Sequence, residues 1–113
     1  MKMIRSDTTR ERAALTFAAL GSEARLGVLM ALVRAGPEGL SIGTLGARCG
    51  ITGSTLTFHL KTLAQAGLIA QAKQGRQIIC AADTAAIRAL SDFLLAECCA
   101  DRPDGPHEGD DHG

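Results

Sequence analysis

The chain has 113 residues, of which 46% are hydrophobic and 3% aromatic, and it contains neither Trp nor Tyr. This length predicts one small globular domain, and a core with so few aromatic side chains favours an obligate dimer that buries more apolar surface. The sequence has no run of about 18 uncharged apolar residues, and its polar start lacks the apolar stretch of a signal peptide. We therefore expect a cytoplasmic protein without a membrane span.

The net charge of zero hides an uneven charge distribution. Five of the 12 acidic residues but only one of the 12 basic residues lie in residues 101–113, which leaves 11 bases against 7 acids, or +4, in residues 1–100. A basic domain over residues 1–100 can approach a polyanion. The acidic composition of residues 101–113, with its Gly and Pro, is typical of a disordered tail.

Glycines divide the chain at helix-length intervals. Helical periodicity predicts five helices, over residues 8–20, 22–35, 41–50, 53–67 and 83–99. Ser22 and Asp83 are suited to cap the second and the fifth of them. Two short extended runs around Gln74-Gly75 indicate a β-hairpin between the last two helices. The predicted fold is mainly α with a small β-hairpin wing, a winged helix-turn-helix of about five helices that forms a homodimer through its first and last helices.

The fourth predicted helix has one apolar side and one polar side. Leu56, Leu60 and Leu63 share the side expected to face the core. The remaining surface offers hydroxyls, a lysine and a ring, which are side chains that contact phosphates and base edges. The hairpin turn is expected to reach the adjacent backbone of the nucleic acid. The candidate DNA-binding residues are Ser54, Thr55, Thr57, Phe58, His59, Lys61 and Thr62 in the helix, with Lys73 and Arg76 beside the turn.

Each of these candidates also has a structural interpretation. Phe58 could meet a thymine methyl group or pack under the wing or in the dimer. His59 is either a satisfied structural residue or a phosphate donor, and both are more common than a metal ligand at such a position. Lys73 and Arg76 could equally belong to a solvated turn.

The run from Leu20 to Ile78 resembles the ArsR/SmtB family of dimeric bacterial repressors. The resemblance rests above all on GSEARL, STLTFHLKTLAQAGL and QGRQIICAAD, and it extends over about residues 10–100. It implies a winged-helix homodimer that holds double-stranded operator DNA until an inducer, commonly a metal or metalloid ion, releases it.

The four cysteines are Cys49, Cys80, Cys98 and Cys99, and in a cytosolic protein they are expected to be reduced thiols. Cys98 and Cys99 match the adjacent pair that ends the last helix in an arsenic-responsive branch of the family. That branch implies arsenite or methylarsenite, that is As(III), as inducer, with Cd or Zn as further thiophilic candidates. The third thiol that often follows in the branch is missing here, so a third ligand would come from Cys49, from Cys80, from the partner subunit or from a small thiol.

Alternatives to this metal site remain open at the level of sequence. Cys98 and Cys99 could pack in the dimer interface or act as a redox or sulfide switch, while Cys49 and Cys80 are expected to be structural. A protein of another class, a winged-helix protein-interaction module, would have the same fold without an operator. An enzyme and an organic cofactor are not expected, because the sequence shows neither a Cys with a His-Asp arrangement nor a Gly-rich phosphate loop.

Overall fold

The computed structural model describes residues 9–103 of the 113-residue chain. Within this range the chain forms five helices, as predicted, and a three-stranded antiparallel sheet that contains the predicted hairpin. In chain order the elements are α1 (Arg10–Ala19), α2 (Glu23–Ala35), β1 (Leu40–Ser41), α3 (Ile42–Cys49), α4 (Gly53–Gln65), β2 (Ile69–Gln74), β3 (Gln77–Ala82) and α5 (Thr84–Leu95). The predicted start of the first helix at residue 8, and residues 104–113 of the disordered tail expected over residues 101–113, lie outside the described residues.

Side-chain caps fix the starts of four of these helices. Thr9, Ser22, Ser41 and Asp83 each accept a hydrogen bond from the backbone N–H three residues later, at 3.0–3.3 Å. Each cap satisfies a backbone donor that the first helical turn leaves free. The capping roles predicted for Ser22 and Asp83 are confirmed.

The sheet has the order β1-β3-β2, with both neighbouring pairs antiparallel. β2 and β3 form the predicted hairpin, in which Gln74 pairs with Gln77 and Gly75, at φ 62°, begins the two-residue turn. β1 was not predicted, because two residues are too short to show an alternating pattern. Gly39 precedes β1 at φ 72°, and a Cβ there would collide with the backbone carbonyl of Cys80. Only glycine fits this approach of the two strands.

The hydrophobic core is formed mainly by side chains of the helix-turn-helix and of the wing. Leu56, Leu60 and Leu63, predicted to face inward, are fully buried. The other large side chains that are fully buried are Val28, Leu32, Leu45, Leu68 and Cys80. All of them belong to the segment from α2 to β3, so this segment forms the rigid part that holds α4. α1 and α5 flank it and leave large apolar side chains exposed.

The end of the fifth helix differs from the prediction. α5 ends at Leu95, with Ala96 as its C-cap, rather than at Cys99. Hydrogen bonds from Cys98 N to Leu95 O and from Ala100 N to Glu97 O, both 3.0 Å, tighten the chain into successive turns. Cys99 then has φ 66°, a left-handed conformation that no α-helix continues. Cys98 and Cys99 therefore follow the helix instead of forming its last turn.

Among residues 9–103 no single helix is long and apolar enough to cross a membrane. α1 and α2 meet such a criterion together by length and composition only, and they are bent by 95° relative to each other. The Arg25 Nε donates to the carbonyl oxygen of Ala19 across this bend at 2.6 Å. α2 contributes Val28 and Leu32 to the core.

Candidate nucleic-acid interface and thiol pair

The turn between α3 and α4 sets the direction of α4. Gly50 is left-handed, at φ 68° and ψ 34°, and caps α3, and the Ile51 N–H then donates to the Gly46 carbonyl at 3.1 Å. A Cβ at Gly46 would stand 3.1 Å from the Ile51 carbonyl oxygen and 3.3 Å from Leu56 Cδ2. A larger side chain would push the two helices apart, so glycine at position 46 permits their close packing. Gly46 was not among the residues selected from the sequence. Its position four residues before the αL cap Gly50 could have indicated that it faces the turn.

The outward side of α4 presents the polar residues that the sequence indicated. Ser54, Thr55, Thr57 and Lys61 are exposed, and Phe58 is 62% exposed. Phe58 thus packs neither in the core nor under the wing of its own chain, which removes one structural interpretation and leaves DNA or a partner subunit. An exposed side chain of this size on a rigid helix is available for contact.

Two threonines support this surface differently. The half-buried Thr62 donates its hydroxyl to the Phe58 carbonyl at 3.3 Å, so its oxygen serves the helix itself. Thr52, which the sequence analysis did not select, lies 3.3 Å from Thr55 through their hydroxyl oxygens at the start of α4. The N-cap position before a helical run was the signal that could have identified Thr52.

His59 lies between the core side and the exposed side of α4. The residue is half-buried, and its Nδ1 is buried without a hydrogen-bond partner among the described residues. The Phe58 ring lies 6.1 Å from the imidazole, centroid to centroid, at a tilted angle. A histidine held in a core by its own hydrogen bonds would have a partner at Nδ1. The structure therefore does not support the satisfied structural histidine considered from sequence.

The wing carries Lys73 and Arg76 on its exposed edge. Lys73 is on β2, where every residue after Ile69 is exposed, and Arg76 is in the turn itself. Neither has an ion pair within residues 9–103. Both side chains are accessible for contact with a phosphate backbone or with water.

The structure brings Cys98 and Cys99 together. Their Sγ atoms are 3.4 Å apart, and both residues are exposed. The hydrogen bond with Cys98, followed by repulsion from its charge, raises the pKa of the Cys99 thiol above 9.0. Within residues 9–103, no group of three or more His, Cys, Asp or Glu side chains is placed to hold a metal ion. In the described chain, neither Cys49 nor Cys80 thus forms a three-ligand group with Cys98 and Cys99.

Cys80 has the structural position expected of it. It is fully buried in β3, and the Gln71 Nε2 donates to its Sγ at 3.4 Å. Burial raises the pKa of this thiol above its ordinary value of 9.0, and the hydrogen bond from Gln71 lowers it in part. A protonated buried thiol is a poor ligand and a poor nucleophile.

Comparison with known proteins identifies the central segment. Residues 20–72 match the family described as Helix-turn-helix domain, a span that includes α2, α3, α4 and part of the wing. An ArsR-like transcriptional regulator from Rhodococcus sp. RHA1 superposes with a TM-score of 0.68 at 29% identity, over 76% of this chain and 78% of that one. The chain is similar to ArsR-type helix-turn-helix regulators. The fold of the chain thus agrees with the resemblance to ArsR/SmtB proteins that the sequence shows.

Two further proteins are similar to this chain, one in sequence and one in fold. The chain is 43% identical over 60 residues to YceK of Bacillus subtilis (strain 168), an uncharacterized HTH-type transcriptional regulator, over 53% of this chain and 59% of that protein. The match therefore spans less than two thirds of that curated relative. The homodimeric winged helix-turn-helix DNA-binding domain of Mb0332 from Mycobacterium bovis superposes with a TM-score of 0.65 over 97% of both chains. Its 17% identity shows the shared fold alone.

Proposed function

We propose that this ArsR-type protein is a transcriptional repressor that binds operator DNA as a homodimer and leaves it when a trivalent arsenical binds Cys98 and Cys99. The observation that carries DNA binding is the outward side of α4, where Ser54, Thr57 and Lys61 are exposed beside buried leucines of the same helix. Such a rigid helix can present polar side chains to a major groove. The exposed cations of the wing support contact with the neighbouring phosphates.

The flanking helices support a homodimer. Leu15 of α1 and Leu95 of α5 are 66% and 65% exposed, and Phe17 and Leu94 are exposed as well. Such exposed apolar surface on α1 and α5 favours burial against a second copy. A two-fold dimer places its two recognition helices about 34 Å apart, which is one turn of DNA.

The thiol pair supports a thiophilic inducer. Two sulfurs 3.4 Å apart suit a soft ion or metalloid rather than Mg or Ca. Methylarsenite loses its two hydroxyl groups as water when two thiols form As–S bonds, and it keeps its As–C bond. It therefore uses two sulfurs, whereas arsenite can bind three, and the third would come from the partner subunit or from a small thiol. Methylarsenite is the inducer that the described thiols fit best.

The position of the thiols suggests how binding would release DNA. Cys98 and Cys99 follow directly after α5, which carries exposed apolar residues for the dimer. A bound arsenical would change the turns after Leu95, and through α5 the spacing of the two recognition helices. A coupling free energy of about 2–3 kcal/mol would weaken DNA binding about 30–150-fold.

The test is operator release measured by fluorescence anisotropy on a fragment of the protein's own promoter. Arsenite, methylarsenite, Cd(II), Zn(II) and a persulfide donor are added separately. We expect release by a trivalent arsenical, loss of this response in Cys98→Ser/Cys99→Ser, and a normal response in Cys49→Ser. Release by persulfide alone would make the pair a redox switch, and absence of DNA binding under every condition would contradict the repressor itself.

A further inference from the structure

A second candidate site lies between α2 and the end of α3. An open cleft of about 580 Å³ separates α2 from the end of α3. Its apolar lining includes Ala24, Ala31 and Ile51, and the half-buried Cys49 forms part of its wall. None of the candidate DNA-binding residues, and neither Cys98 nor Cys99, lines this cleft. Pockets of roughly 300–1,000 Å³ are typical of small-molecule sites.

Gly27 keeps the middle of this cleft open. It lies inside α2, where glycine weakens a helix relative to alanine. Apart from its two chain neighbours and the nearby backbone of α2, no atom lies within 4 Å of the position that a Cβ would occupy at Gly27, so close packing does not explain this glycine. Because Gly27 has no side chain, the space beside Ala31 in the cleft stays open.

The cleft also carries an excess of positive charge. Arg34 and Arg48 line it from the last turns of α2 and α3. Neither guanidinium has a hydrogen bond or an ion pair within residues 9–103. The carboxylate of the cleft is Glu23 in the first turn of α2, and the helical rise places it about 16 Å along the axis from Arg34. An anion bound beside Arg34 would therefore lie far along α2 from the carboxylate of Glu23.

We propose that this cleft binds a small organic anion, whose carboxylate contacts Arg34 and Arg48 and whose short apolar body lies over Ala24, Gly27 and Ala31. The two guanidiniums select an anion over an amine or a neutral alcohol of the same length. The apolar lining selects a carboxylate with a hydrocarbon body over acetate or chloride.

The test uses octanoate as the probe, with octylamine and octanol as matched compounds, and isothermal calorimetry on the full chain. We expect a dissociation constant on the order of 1 mM or lower for octanoate, and at least about tenfold weaker binding of the other two. Arg34→Gln/Arg48→Gln should weaken octanoate binding at least about tenfold. The matched control Arg10→Gln/Arg88→Gln removes two exposed charges outside the cleft and should bind normally.

Two more measurements locate the ligand. Gly27→Met should fill the cleft and abolish octanoate binding while circular dichroism shows an intact fold. In Cys98→Ser/Cys99→Ser the remaining thiols are Cys49 and the fully buried Cys80, so iodoacetamide reports on Cys49, and octanoate should slow its alkylation. No binding of octanoate by the full chain, equal binding of octylamine, or unchanged binding in both Arg34→Gln/Arg48→Gln and Gly27→Met would each overturn the proposal.

Discussion

The sulfurs of Cys98 and Cys99 lie 3.4 Å apart, and Cys99 is the one non-glycine residue within residues 9–103 that has a positive φ. Consecutive residues of an α-helix point about 100° apart. The end of α5 at Leu95 is therefore what permits this contact. A left-handed backbone at a non-glycine residue costs roughly 1–2 kcal/mol, and such strain is characteristic of functional sites.

The contact between the sulfurs predicts a coupled titration. Because the hydrogen bond and the charge of Cys98 raise the pKa of Cys99 above 9.0, Cys98→Ala should lower the pKa of Cys99 toward this ordinary value. The pKa of Cys99 is measured from the ultraviolet absorbance of the thiolates as a function of pH. Cys49→Ala is the control and should leave the titration of the pair in place. An unchanged pKa of Cys99 in Cys98→Ala would mean that the sulfurs do not interact in solution.

The salt dependence of DNA binding should distinguish a charge contact of Lys61 from a ring contact of Phe58 on α4. Lys61→Ala should weaken operator binding and reduce the slope of log K against log salt by about 0.9, because one phosphate contact is lost. Phe58→Ala should weaken binding without changing this slope. Anisotropy titrations at several salt concentrations measure both effects. Arg88→Ala, which removes a cation from the exposed side of α5, is the control for general charge, and a slope change as large as that of Lys61→Ala would refute the assignment of Lys61.

The two sides of α4 should also differ in stability. Leu60 is 1% exposed and Phe58 is 62% exposed, although they are two residues apart. Leu60→Ala should lower the free energy of unfolding by about 2–5 kcal/mol, because it leaves a cavity. Phe58→Ala should change it by about 0.5 kcal/mol or less, as expected for an exposed position. Urea denaturation measures both, and a large loss in Phe58→Ala would show that this ring is buried in the dimer.

Stability should fall at high pH because of Cys80. Burial raises the pKa of its thiol above 9.0 in the folded state, so the neutral thiol stabilises the fold fully below pH 9.0. This stabilisation is lost as the pH rises above 9.0 and through the folded-state pKa. Urea unfolding from about pH 8 to pH 10 should show a smaller decline in Cys80→Ala than in the unaltered protein. Equal declines in the two proteins would assign the pH dependence to other groups, and Cys49→Ala serves as the control thiol.

The candidate DNA interface was predictable from the sequence because its pattern is local. The period of Leu56, Leu60 and Leu63 fixes which side of α4 is buried, and the same period places Ser54 and Lys61 on the other side. The environment of His59 was not predictable, since it depends on what packs around Nδ1. The cleft beside Gly27 was equally hidden, because its walls come from two helices.

The sequence by itself determined the positions of the five helices, the caps at Ser22 and Asp83, and the hairpin. These features depend on contacts over a few residues, such as the hydrogen bond from Ala86 N to Asp83 Oδ1. Only the tertiary structure decided the pairing of β1 with β3, the end of α5 before Cys98, and the contact between its sulfur and that of Cys99. Strand pairing and the end of an amphipathic helix depend on which surfaces meet in space, and a one-dimensional pattern of apolar residues does not contain that information.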